Sequence, residues 1–178
     1  MANTFLKGYE KEIMELALKQ EDKVFYNSSS DHAAIVHKAI VKTASNCIRI
    51  FSSSMCSEIS NNEDYLAAIK EYLTSSQDHL LNIVLTNYSE KFLNMPIAGI
   101  LRQFPSQVEV KRYEGNLLYG GKPCHFTVAD GRMFRFETDI DQHMAFGNFN
   151  NPEQAKKLTD IFDKIMSSEF SKTCSLAA

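Results

Sequence analysis

The chain has no apolar stretch long enough for a membrane helix: its longest runs, such as Leu80 to Leu85, fall far short of the roughly 20 residues a bilayer requires. Its N-terminus lacks the basic-then-apolar layout of a signal peptide, so the expected location is the cytoplasm. There is no basic surplus either. Lys and Arg number 19 against 22 Asp and Glu, a formal charge of -3, so no global positive field draws the chain toward nucleic acid or anionic lipid, although a local basic patch stays open. Cys47, Cys56, Cys124 and Cys174 form no C-x-x-C pair and the histidines do not cluster, so neither a metal site nor a cofactor is expected. Without an export signal the thiols are expected to be reduced. No repeat, low-complexity tract or linker divides the sequence.

What is there is ordinary globular material. At 178 residues, 44% hydrophobic and 23% charged, the chain is long enough to bury one full core. Thr4 to Gln20 carries Phe5, Tyr9, Ile13 and Leu16 at helical spacing, which predicts an amphipathic helix within residues 1–22, free to pack on its own domain or on a protein partner. Residues 23–172 read as the main domain and 173–178 as a tail. Val24 to Tyr26 is a short strand that runs into Asn27 to Asp31, a cluster of helix N-cap residues opening a helix to about Ala44.

Ile48 to Phe51 and Leu80 to Leu85 read as buried strands, with a helix at about Glu63 to Leu73 between them. Ser89 to Arg102 is helical, started, kinked or split by Pro96. Val108 to Tyr113 alternates as a half-exposed strand does, and Gly115 to Gly121 is a turn or loop. Cys124 to Ala129 and Met133 to Glu137 are strands joined by the hairpin signal Asp130-Gly131, and Met144 to Phe149 follows. Asn151 caps a last helix with Pro152 at its first position and Gln154 three after the cap. The expected fold is α/β, with a mixed, mostly parallel sheet and helices on both faces.

The stretch Pro123 to Arg132, followed by Gly147-Asn148-Phe149-Asn150, resembles the half-domain signature of the phospholipase D superfamily, H-x-K-x4-D and then G-S-x-N. The resemblance spans roughly Val24 to Phe170 and implies a phospholipase D-like half-domain. In that family the histidine attacks phosphorus, lysine and asparagine hold phosphate oxygens, and two signatures build one pocket. Aligning Asp130 with the signature aspartate puts Pro123 at the nucleophile and His125 at the lysine position. Aligning His125 as nucleophile instead puts Thr127 and Arg132 at the lysine and aspartate positions. The first register fits better, because Val128 to Arg132 looks like the family's strand-to-turn crossing.

The resemblance therefore implies a catalytically degenerate domain acting as a binding, regulatory or assembly module. It also implies a homodimer, with the hairpin near His125 at or near the two-fold seam. One alternative is a phosphodiesterase or nuclease with a non-standard site using His125, the catalytic candidates being His125, Asp130 and Asn148. Another is a nucleic-acid-binding regulator.

As ligand-binding candidates the sequence offers His125, Arg135, Glu137, Asn148 and Asn150, for nucleic acid or another phosphate-containing ligand. Strand alternation sets Arg135 and Glu137 on one side, and a structural ion pair explains them as well as a ligand grip does. Asn148 and Asn150 share a face if the strand continues, and one asparagine of this run caps the next helix. Asp130 is explained by its turn. Ser28 to Ser30 precede a helix but lack the glycines and lysine of a phosphate loop. His32 and His37 fall at a spacing poor for joint metal ligation and read as surface or core. Lys111, Arg112 and Lys122 are a modest basic group near the expected pocket.

Overall fold

The computed structural model describes residues 2–176. In chain order the elements are α1 (Ala2–Lys19), β1 (Phe25–Ser28), α2 (Ser30–Thr43), β2 (Cys47–Ser52), α3 (Ser57–Ser60), α4 (Glu63–Ser75), β3 (Leu80–Leu85), α5 (Glu90–Leu93) and α6 (Pro96–Leu101). There follow β4 (Val108–Tyr113), β5 (Leu118–Tyr119), β6 (Lys122–Pro123), β7 (His125–Ala129), β8 (Met133–Asp139), β9 (Met144–Asn148), α7 (Pro152–Met166) and β10 (Ser171–Thr173). Eight strands make one sheet in the order β1-β9-β8-β7-β2-β3-β4-β10, and β5 pairs with β6 in a small separate hairpin.

Helices cover both faces. On one, Ile13 and Leu16 of α1, Val36 and Ile40 of α2, and Ile69 of α4 pack with Ile48, Ile83 and Val110 of the sheet. On the other, α7 lays Ala155, Leu158, Phe162 and Ile165 over Phe51, Phe126, Val128 and Phe134. Period-2 alternation along β2, β7 and β8 sends successive side chains to these two layers. At the residue scale the helix starts are well punctuated. The Ser29 hydroxyl accepts the His32 N–H, and the Asn151 side chain accepts the Gln154 N–H. No described helix is long and apolar enough to cross a membrane.

The sheet is mixed as expected, but its parallel share is smaller. Only β2–β3 and β3–β4 run parallel, while β1–β9, β9–β8, β8–β7, β7–β2 and β10–β4 are antiparallel. Helix-bearing crossovers link β2 to β3 and β3 to β4, as parallel pairing requires, whereas short turns join β7 to β8 and β8 to β9 and make those pairs antiparallel. Residue 173, assigned to the tail, lies within β10, whose Ser171 to Thr173 pair with Tyr113 to Lys111. Residues 177 and 178 of that tail lie outside the described residues. Pro96 splits its segment, opening α6 after α5 has ended.

Candidate functional site

The hairpin of β7 and β8 builds the site. Asp130 and Gly131 both take positive φ, +54° and +64°, inside a three-residue turn, Asp130 to Arg132, that joins the paired Ala129 and Met133. That turn sets the register, which places Thr127 opposite Arg135 and His125 opposite Glu137. Alternation then points all four to the α2 face, while Phe126, Phe134 and Phe136 turn toward α7. An irregularity in the β8–β9 ladder between Glu137 and Asp139 ends the regular pairing beside the site.

Glu137 is the hub. His125 Nδ1–H donates to its Oε2 at 2.9 Å, and an Arg135 guanidinium N–H donates to its Oε1 at 2.8 Å. Arg135 Nε donates to Asn27 Oδ1 of β1 at 3.0 Å, and the Asn27 amide donates to the His143 carbonyl at 2.6 Å. On the far side of the imidazole, the backbone N–H of Ser53, just past the C-terminal end of β2, donates to His125 Nε2 at 2.9 Å. This bond fixes the neutral Nδ1–H tautomer, since Nε2 must keep a lone pair to accept it. His37 of α2 closes the floor, its Nδ1 lying 3.5 Å from Thr127 Oγ1.

The electrostatics are those of a satisfied interior. Burial pushes the Glu137 carboxyl up, but the His125 hydrogen bond and the Arg135 charge outweigh it and hold the pKa at about 2. Glu137 is therefore ionised, and its charge cancels that of Arg135, which is 2% exposed. Burial, helped by the nearby Arg135 charge, drives His37 down to about 3, so it is neutral at pH 7. The cavity between these groups measures about 40 Å³ and is lined also by Ser52 and Tyr65. That is room for a few water-sized groups, against the roughly 300 Å³ at which small-molecule pockets begin.

Three of the expected ligand residues, His125, Arg135 and Glu137, thus converge. Asn148 and Asn150 do not. Asn148 pairs across the ladder with Phe134 on the α7 side, where its amide donates to Asp22 at 2.7 Å and its carbonyl oxygen accepts the Asn150 N–H. Asn150 lies beyond the end of β9, so the two share no strand face. Asp130 holds a loop: its carboxylate accepts the N–H groups of Ser45, Asn46 and Cys47 at 2.7 to 3.1 Å. Pro123, at the place of the family's nucleophile, sits exposed in β6.

The basic group disperses as well. Lys111 reaches the C-terminal carbonyl of Met166, Arg112 pairs with Glu114, and Lys122 lies 3.6 Å from Asp139. Sequence reasoning missed Asn27, Ser53 and His37, which reach the site from 72 to 108 residues away. Asn27 stood in the N-cap cluster, and the structure uses its neighbour Ser29 as the cap instead.

Comparison with known proteins agrees with this architecture. Nuc of Salmonella typhimurium, a phospholipase D family member, superposes with a TM-score of 0.57 at 11% identity, over 86% of this chain and 99% of its own. NucT from Helicobacter pylori gives 0.58 at 14% identity, over 86% and 100%. TrmBL2, an archaeal chromatin protein that binds DNA, gives 0.59 at 14% identity over 92% of this chain, which spans 60% of that protein. No curated protein matches by sequence. The fold is thus phospholipase D-like, and by the family model matching residues 29–174 the chain belongs to the family described as domain of unknown function DUF7931.

Proposed function

We propose that this chain is a catalytically silent phospholipase D-like domain that works as a binding or assembly module. The observation that carries this reading is the engagement of His125: its Nε2 lone pair accepts the Ser53 N–H while its Nδ1–H is held by Glu137. A nucleophile needs a free lone pair, and a phosphate pocket needs donors with charge to spare. Here the buried cation is neutralised by its own neighbour. Pro123 offers nothing in exchange.

The test is phosphodiester turnover on bis(p-nitrophenyl) phosphate and on single- and double-stranded DNA, for the wild-type chain and for His125→Ala. The expected result is no rate above buffer for either. Turnover that vanishes in His125→Ala would establish the enzyme reading instead. A nucleic-acid-binding role draws support from the fold shared with TrmBL2, and it predicts DNA affinity that falls steeply with salt as counterions are released. The formal charge of -3 argues against it.

A further inference from the structure

One cluster borders this network with side-chain donor atoms that take no part in its hydrogen bonds. Cys56, at the N-cap of α3, Glu58, in the first turn of α3, and His143, in the loop between β8 and β9, bring a thiol, a carboxylate and an imidazole nitrogen within 4.8 Å of one another. Bond lengths of about 2.0 to 2.3 Å around a tetrahedral zinc set ligand atoms roughly 3.5 Å apart. His143 Nε2 and Glu58 Oε2 are already 3.7 Å apart, and Glu58 is exposed while Cys56 and His143 are half-buried, so closing the set on an ion takes small side-chain rotations, chiefly of Glu58.

Two further observations shape the site. His143 Nδ1 faces Glu137 Oε1 at 3.6 Å, leaving Nε2 directed at Glu58. A carboxylate hydrogen-bonded to the distal ring nitrogen orients metal-binding imidazoles; Glu137 stands on that side of the ring at a distance slightly longer than such a bond. The backbone is also constrained on both sides of the cluster. His143 has φ +50° and Met55, preceding Cys56, has φ +57°. Such conformations persist in non-glycine residues only where surrounding contacts impose them, and the Asn27 hydrogen bond to the His143 carbonyl is such a contact.

We propose that Cys56 Sγ, the Glu58 carboxylate and His143 Nε2 form a binding site for a divalent cation of the zinc class, with a fourth position left open beside the cavity that Cys56 helps to line. Thiolate with imidazole selects zinc-like cations over magnesium or calcium, which prefer all-oxygen sets. Three protein ligands with one open position is the donor count of reactive rather than closed structural zinc sites. Cys56 binds as thiolate, its proton passing to solvent. The site stands apart from the phosphodiesterase question, since it uses none of the signature positions.

Cobalt(II) is the probe, titrated into the full chain kept reduced. The expected result is one cobalt per chain with thiolate-to-cobalt charge-transfer absorption in the near ultraviolet. Cys56→Ser abolishes that band, and His143→Asn, which tolerates positive φ, weakens cobalt binding on the order of 10-fold or more. Cys174→Ser leaves both unchanged, and circular dichroism checks that each variant is folded. Absence of the band in the wild type, or its survival in folded Cys56→Ser, overturns the proposal.

Discussion

An imidazole can attack phosphorus only through a nitrogen whose lone pair is free, and in His125 the Ser53 N–H occupies it. The same packing makes His37 a pH-sensitive element of stability. Its pKa falls from 6.5 to about 3 on folding, from burial first and the Arg135 charge second. Between those values the unfolded chain binds a proton that the folded chain refuses, so stability drops as pH falls below 6.5. Glu137, held at about 2 against 4.5, adds its own loss only below 4.5. Urea midpoints should therefore decline from pH 7 to pH 5, and His37→Gln should remove most of that decline; an unchanged decline in the variant would contradict the assignment. At this scale the sequence displayed the alternation of Arg135 and Glu137 but not the outer partners of the network, because Asn27 reaches Arg135 and Ser53 reaches His125 only through folding.

Among the elements, β9 shows how a motif glycine can serve packing. A Cβ on Gly147 would stand 2.3 Å from the Phe134 carbonyl oxygen and 2.4 Å from the Phe25 ring. The carbonyl is backbone and cannot swing aside, so Gly147→Ala should cost about 1 to 3 kcal/mol by overpacking, read as a lowered urea midpoint with an unchanged slope. A neutral outcome would mean that β1 and β9 pack more loosely than described. Strands such as Leu80 to Leu85 and the capped helix α7 were legible because apolar runs and cap residues are local signals. The strand β10 was not, since Ser171-Lys172-Thr173 carries no apolar alternation and is defined only by its pairing with β4. The four-residue α3 is likewise too short to show a period.

For the molecule as a whole, the sheet has two edges, β1 and β10, and the small β5–β6 hairpin leads in sequence into the strand that begins at His125. Leu118 and Tyr119 of that hairpin are more than half exposed, and a homodimer seam near His125, which the phospholipase D resemblance implies, would cover them. Sedimentation equilibrium should report twice the chain mass, falling to a single mass in Leu118→Asp; a wild-type monomer would remove the dimer from the account. The tautomer of His125 reports on the assembly most directly, because Ser53, His125 and Glu137 arrive from three different strands or strand ends. Long-range ¹H–¹⁵N correlation of the ring above pH 7 should show the neutral Nδ1–H form, with Nε2 unprotonated and accepting the Ser53 amide. An Nε2–H ring, or a Ser53 amide free to exchange with solvent, would contradict the claim that this imidazole is held for structure rather than poised for attack.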